Sequence, residues 1–139
     1  MATLYGTNSN KVYNSPVTVV PPGFFDATVR CTQDVYVGNV IAQNDVVVMG
    51  RLPKGAIPLF YHIASTVTFG ATATIAIGIV GTTGKYRAAA TLAAVSELGM
   101  VPAAASVALT AEEQIICTVA AAAGPSSGNL SLRMFYVFN

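Results

Sequence analysis

Charge is what this chain of 139 residues most lacks. Asp, Glu, Lys and Arg make up 9% of it, against about 25% in an ordinary globular domain. Between Gly55 and Gly84 there is no charged residue at all. Seven basic and six acidic residues leave a net charge of +1. Arg30, Arg51, Lys54 and Arg87 are scattered rather than striped, so the electrostatic footprint of a nucleic-acid partner is missing. Ala, Thr, Ser, Gly and Asn must then supply much of the surface. Packed interfaces are the surfaces depleted in Lys, Glu and Asp, so the expectation is a subunit held in an assembly.

The uncharged run is not a membrane span. It contains six Thr, one Ser, five Gly, a His and a Pro, and its apolar residues recur with period two rather than 3.6. At the N-terminus, Met1-Ala2-Thr3-Leu4-Tyr5 leads into Gly, Thr, Asn and Ser without an apolar h-region. That predicts synthesis and use on the cytoplasmic side, with no membrane partner. Tryptophan is absent, and the two cysteines, Cys31 and Cys117, sit in alternating stretches. They read as buried free thiols rather than a disulfide.

What is present is alternation, because successive side chains on a strand point to opposite faces. The chain divides into an extended arm over residues 1–25 and one β-sandwich domain over residues 26–139. Pro16 and Pro21-Pro22-Gly23 punctuate the arm and Tyr5 and Tyr13 are its isolated anchors. Strands are expected at Ala27–Gln33 with Asp34–Val37 continuing it, at Val46–Met49, and at Ile57–Thr66 after a bend at Pro53-Lys54-Gly55. Val67–Val80 reads as one long strand, with Phe69, Ala71, Ala73, Ile75, Ile77 and Ile79 on one parity. A turn at Gly81-Thr82-Thr83-Gly84 and a short strand Lys85–Ala89 follow. Over residues 88–98 the Ala-rich composition, stopped by Gly99 and Pro102, predicts one short helix. Ser106–Thr110, Gln114–Val119 and Leu130–Phe138 complete the strands, with a hairpin loop at 120–128. The fold class is all-β, an antiparallel sandwich of the jelly-roll kind.

Chemistry finds few parts here. His62, the one histidine, sits in a strand between Tyr61 and Ile63 and reads as structural, because a general base needs an oriented partner. Metal ligands lack their spacing. Glu112-Glu113 precedes a strand and reads as a solvated turn. Gly78–Gly84 lacks the Gly-Lys-Ser/Thr ending of a phosphate loop and reads as hairpin chemistry. The pairs Phe24-Phe25, Phe60-Tyr61 and Phe135-Tyr136 are core or interface anchors rather than a base-stacking platform. No catalytic, cofactor-binding or metal residue is assigned, no cofactor is expected, and the chain is read as non-enzymatic.

A resemblance is carried by Gly50–Ala56 entering a strand, by Ala73–Gly78 and Lys85–Thr91, and by a strand around Glu113–Val119, an Ala/Gly/Ser loop and Gly128–Arg133 running into an aromatic last strand. Together they resemble the decoration (cement) proteins of tailed-bacteriophage capsids. The resemblance implies a jelly-roll-like sandwich on the outer surface of the head, a homotrimer clamping the major capsid protein, in virions assembled in the host cytoplasm. Two other readings fit a neutral all-β chain. One is a head- or tail-fibre-associated module that binds host-surface glycans through aromatics near Phe24-Phe25 or Tyr61. The other is a small hydrolase, for which His62, Glu112 and Glu113 would have to converge.

Overall fold

The computed structural model describes residues 28–37, 41–92 and 95–138, and the arm expected over residues 1–25 lies outside them. Eight strands follow one another: β1 Arg30–Val37, β2 Val46–Leu52, β3 Ala56–Ser65, β4 Thr74–Ile79, β5 Thr82–Thr91, β6 Ser96–Met100, β7 Glu113–Ala120 and β8 Asn129–Phe138. Their antiparallel pairings are nested. β4 pairs with β5, β3 with β6, β2 with β7 and β1 with β8. Alternate pairs of this folded ribbon fall on opposite layers. The result is one sheet in the order β1-β8-β3-β6 and another in the order β2-β7-β4-β5. This is the jelly-roll arrangement of two interlocked Greek keys, as the alternation predicts.

The core lies between the sheets. Ile75 and Ile77 of β4, Ile115, Cys117 and Val119 of β7, and Leu130, Leu132 and Met134 of β8 all point into it, each at most 2% exposed. Those are the apolar parities read from the sequence. Cys117 is fully buried among them, which pushes its thiol pKa up to about 12. Peptide mapping after alkylation of the native protein should therefore find Cys117 unmodified until the sandwich is unfolded. Cys31 differs from expectation: it is exposed, because it lies on the outer side of the edge strand β1, which none of the described residues covers.

Four other expectations are corrected. No helix forms among the described residues of 88–98. β5 runs to Thr91, where Thr74 pairs with Thr91 and Ile75 with Ala90, and β6 begins at Ser96. Pairing with β4 and β3 satisfies backbone groups that alanine propensity alone would have placed in a helix. The long strand Val67–Val80 shrinks to β4, because Gly70 adopts φ +76 and turns the chain at residues 70–72. Phe69 is nevertheless buried in the core from that loop. Ser106–Thr110 is loop, anchored by Ser106 Oγ donating to Pro58 O at 2.7 Å and by paired backbone bonds between Leu109 and the Gly55–Ala56 bend. The connection 120–128 joins strands of different sheets and is no hairpin. The Pro53-Lys54-Gly55 bend forms as expected, with Gly55 at φ +85. The next turn is tighter than read. Val80-Gly81 alone separates Ile79 from its partner Thr82.

Candidate functional site

The outer faces of the two sheets are finished differently. On the sheet that contains β4, Ala76 and Ile116 point outward yet are only 4% and 2% exposed. The chain covers this side itself. A Cβ on Gly78 would stand 2.2 Å from the backbone oxygen of Thr82, so the first residues of β5 lie directly over β4. On the core side of the same strands, where Tyr86 packs and Glu113 shares the inward parity of Ile115, Lys85 Nζ and Tyr86 Oη reach past β4 to the two carboxylate oxygens of Glu113 on β7. Burial first, and the Glu113 carboxylate second, raise the Tyr86 phenol above its ordinary pKa. Glu113 is therefore a half-buried ion-pair partner rather than part of a solvated turn. Its neighbour Glu112 does stay exposed, 3.4 Å from Arg51.

No such cover lies on the outer face of β1-β8-β3-β6 among the described residues. Register places its outward side chains in rows across all four strands. The first row is Cys31, Phe135, Phe60 and Met100, and the second is Gln33, Arg133, His62 and Leu98. The third is Val35, Ser131, Ala64 and Ser96. Phe60 and Phe135 stack with centroids 4.4 Å apart. Leu98 and Met100 are 68% and 75% exposed. Arg133 is the one charge in these rows, its Nε donating to Gln33 Oε1 at 3.0 Å. Small side chains in the third row leave a shallow recess of about 210 Å³ lined by Val35, Ala64, Thr66, Asn129 and Ser131. An apolar face with stacked aromatics, one arginine and a recess for an anchor is the composition of a protein interface core.

The aromatic pairs of the sequence are split by strand alternation. Phe60 and Phe135 go to this outer face, whereas Tyr61 and Tyr136 turn inward to the core. Phe24-Phe25 lie outside the described residues. Tyr61 is buried, so it offers no exposed ring to a glycan. His62 stands on the outer face beside Arg133 and Leu98, while Glu112 and Glu113 belong to the other sheet. The three hydrolase candidates are not brought together.

A polar group that sequence reading missed closes one open side of the sandwich. Arg87 on β5 forms a two-toothed ion pair with Glu97 on β6, Nε to Oε1 at 2.8 Å and Nη2 to Oε2 at 2.7 Å. Its remaining donors go to the carbonyls of Ile75, Ala90 and Thr91. Tyr61 Oη donates to Glu97 Oε1 at 2.8 Å. Burial, then the Glu97 carboxylate, pushes the Tyr61 phenol up to about 12. The hydrogen bonds from Arg87, with that of Tyr61 behind them, hold Glu97 below the ordinary carboxylate range. β5 and β6 are the edge strands of different sheets, so this clasp ties the two layers together. The clasp joins the layers, and the apolar face that no described residue covers is the candidate interaction surface.

No protein-family model and no curated protein sequence matches the chain. Solved structures do. A chain of the cyanophage Pam1 capsid asymmetric unit superposes with a TM-score of 0.65 at 21% identity, over 88% of this chain and 93% of that one. A chain of the capsid of Ralstonia phage GP4 gives 0.64 at 20% identity, over 81% and 85%. One from the acid-stable capsid structure of Helicobacter pylori bacteriophage KHP30 gives 0.59 at 16%, over 80% and 88%. At these identities the likeness establishes the fold alone: a β-sandwich shared with chains of three phage capsid structures.

Proposed function

We propose that the chain is a structural, non-enzymatic virion protein of a tailed phage, a decoration or cement protein on the outer surface of the head. In this role it binds the major capsid protein, bridges neighbouring capsid subunits and self-associates as a homotrimer, in particles assembled in the host cytoplasm. The observation that carries the reading is the apolar face of β1-β8-β3-β6, which none of the described residues covers, on a fold shared with phage-capsid chains. Cement work needs contact area across subunit joints, not a pocket. Stable interfaces of that kind bury on the order of 1,600 Å² or more, and charge is depleted at their centres. A surface with 9% charged residues suits that demand.

Quantitative mass spectrometry of purified particles tests the reading. A copy number close to that of the major capsid protein is expected. A handful of copies per particle would instead make the chain a tail or fibre component, and its absence would end the virion reading. Particles assembled without the chain should rupture at lower temperature and lower salt tolerance. Unchanged particle stability would count against a cementing role.

A further inference from the structure

The open face needs an occupant, and the chain carries one. Residues 1–27 precede Thr28, where the described structure begins at the edge strand β1. They bring Tyr5, Tyr13, Val17, Val19, Val20, Phe24 and Phe25 with only two charged side chains, Lys11 and Asp26. Such a segment is too short to build a core of its own, and among polar residues such as Asn8, Ser9, Asn10, Asn14 and Ser15 it carries isolated apolar anchors that gain by docking. The face it would meet matches it, with one charge, two stacked phenylalanines and a recess of about 210 Å³.

We infer that residues 1–27 of one copy lie across the outer β1-β8-β3-β6 face of a neighbouring copy and place an aromatic side chain in the Val35–Ala64–Ser131 recess. Reach brings a neighbour's face within range. Four strands spaced about 4.8 Å apart make a face that about six extended residues cross. Extended, the 27 residues span up to about 90 Å. Crossing one face would use only a fraction of that length, so the segment is long enough to leave its own domain for the next subunit. The segment crosses the face rather than extending the sheet. Val35 N–H, on the edge strand β1, already donates to its neighbour Asp34 Oδ1 at 2.7 Å. That local bond blunts strand addition there. The inference rests on self-association, one part of the proposed function, and needs no capsid for its test.

The experiment mixes isotopically heavy and light full-length chain after joint refolding. A photoreactive diazirine is attached to Lys11, the one lysine of the segment, and cross-linked peptides are sequenced. Links from the Lys11 peptide to β3 or β8 peptides of opposite isotope are expected. Links only between peptides of the same isotope would show that the segment covers its own face, and links elsewhere would remove the face as its site; either result overturns the inference. A second measurement uses Ser131→Trp, which fills the recess from a half-exposed outward position without touching the core. Sedimentation equilibrium should show self-association weakened at least tenfold with the circular dichroism spectrum kept. Unchanged association would overturn the inference. Because the protein is free of particles in both measurements, a negative result here leaves the virion copy number as a separate question.

Discussion

Arg87→Met is expected to lower the unfolding free energy by about 3 kcal/mol at neutral pH, the lower end of what breaking a buried ion pair costs. Methionine fills much of the same space but leaves Glu97 without its counter-ion and strips donors from the carbonyls of Ile75, Ala90 and Thr91. The lower end applies because the Glu97 side chain is 34% exposed and recovers some hydration. Urea unfolding with an unchanged slope would measure it. The double variant Arg87→Met with Glu97→Leu should regain most of the loss, since replacing both partners leaves no orphaned charge. A single variant within about 0.5 kcal/mol of the wild type would mean the clasp does not hold the sheets, because that is the range of an ordinary surface change. The clasp also predicts an acid response. Glu97 has its pKa lowered in the folded state, so the unfolded chain takes up the proton first as pH falls. Its stabilisation is complete above the ordinary glutamate range near about 4.3 and is lost as pH falls through the lower folded value. The wild type should therefore lose stability in acid more steeply than the double variant.

Gly78→Ala is expected to be equally damaging, at about 3 kcal/mol or more, the upper end of overpacking costs. The added methyl group would stand 2.2 Å and 2.4 Å from the backbone oxygens of Thr82 and Thr83. Neither can rotate away, because both belong to a strand held by a two-residue turn to β4. The start of β5 would have to lift, exposing Ile116 and drawing Tyr86 off Glu113. Gly70→Ala makes the control. It has no neighbour within 4 Å but sits at φ +76, so only the left-handed backbone cost of about 1–2 kcal/mol applies. If thermal unfolding shows the two substitutions to be equivalent, the overlay of β5 on β4 is not what buries this side.

The sequence announced the parts of the fold whose periodicity is driven by the core. Ile115-Cys117-Val119 and Leu130-Leu132-Met134 alternate because one side of each strand is inside, and they were legible for that reason. Residues 88–98 were not, because alanine fits a helix and an edge strand alike. What decided between them was pairing with Thr74, Ile75 and the β3 strand, which is distant information. Phe69 kept its inward place while the strand around it dissolved into a loop, so its apolar character was informative and its parity was not. The interface candidate was half legible. Phe60-Tyr61 and Phe135-Tyr136 were recognisable as anchors, but which member of each pair faced out depended on register. Arg87 and Glu97 carried a signal that was passed over. In a chain this poor in charge, an arginine and a glutamate within apolar or alanine-rich strands are costly unless they meet.

The nested strand pairing also sets a timetable. Among the described strands, only β4 and β5 are consecutive strands that also pair with each other. Arg30 finds its partner at Tyr136, near the far end of the chain. β8 lies between β1 and β3, so the first sheet has no centre until residues 129–138 have left the ribosome. The second sheet waits in the same way for β7. Folding dominated by such remote contacts takes milliseconds to seconds, and the apolar strands stay unshielded meanwhile. With 53% hydrophobic residues and little charge to keep nascent chains apart, yield in the cell should depend on synthesis rate. Slower translation lengthens the wait for β8, and cooler expression helps only where it slows aggregation more than it slows that closing step.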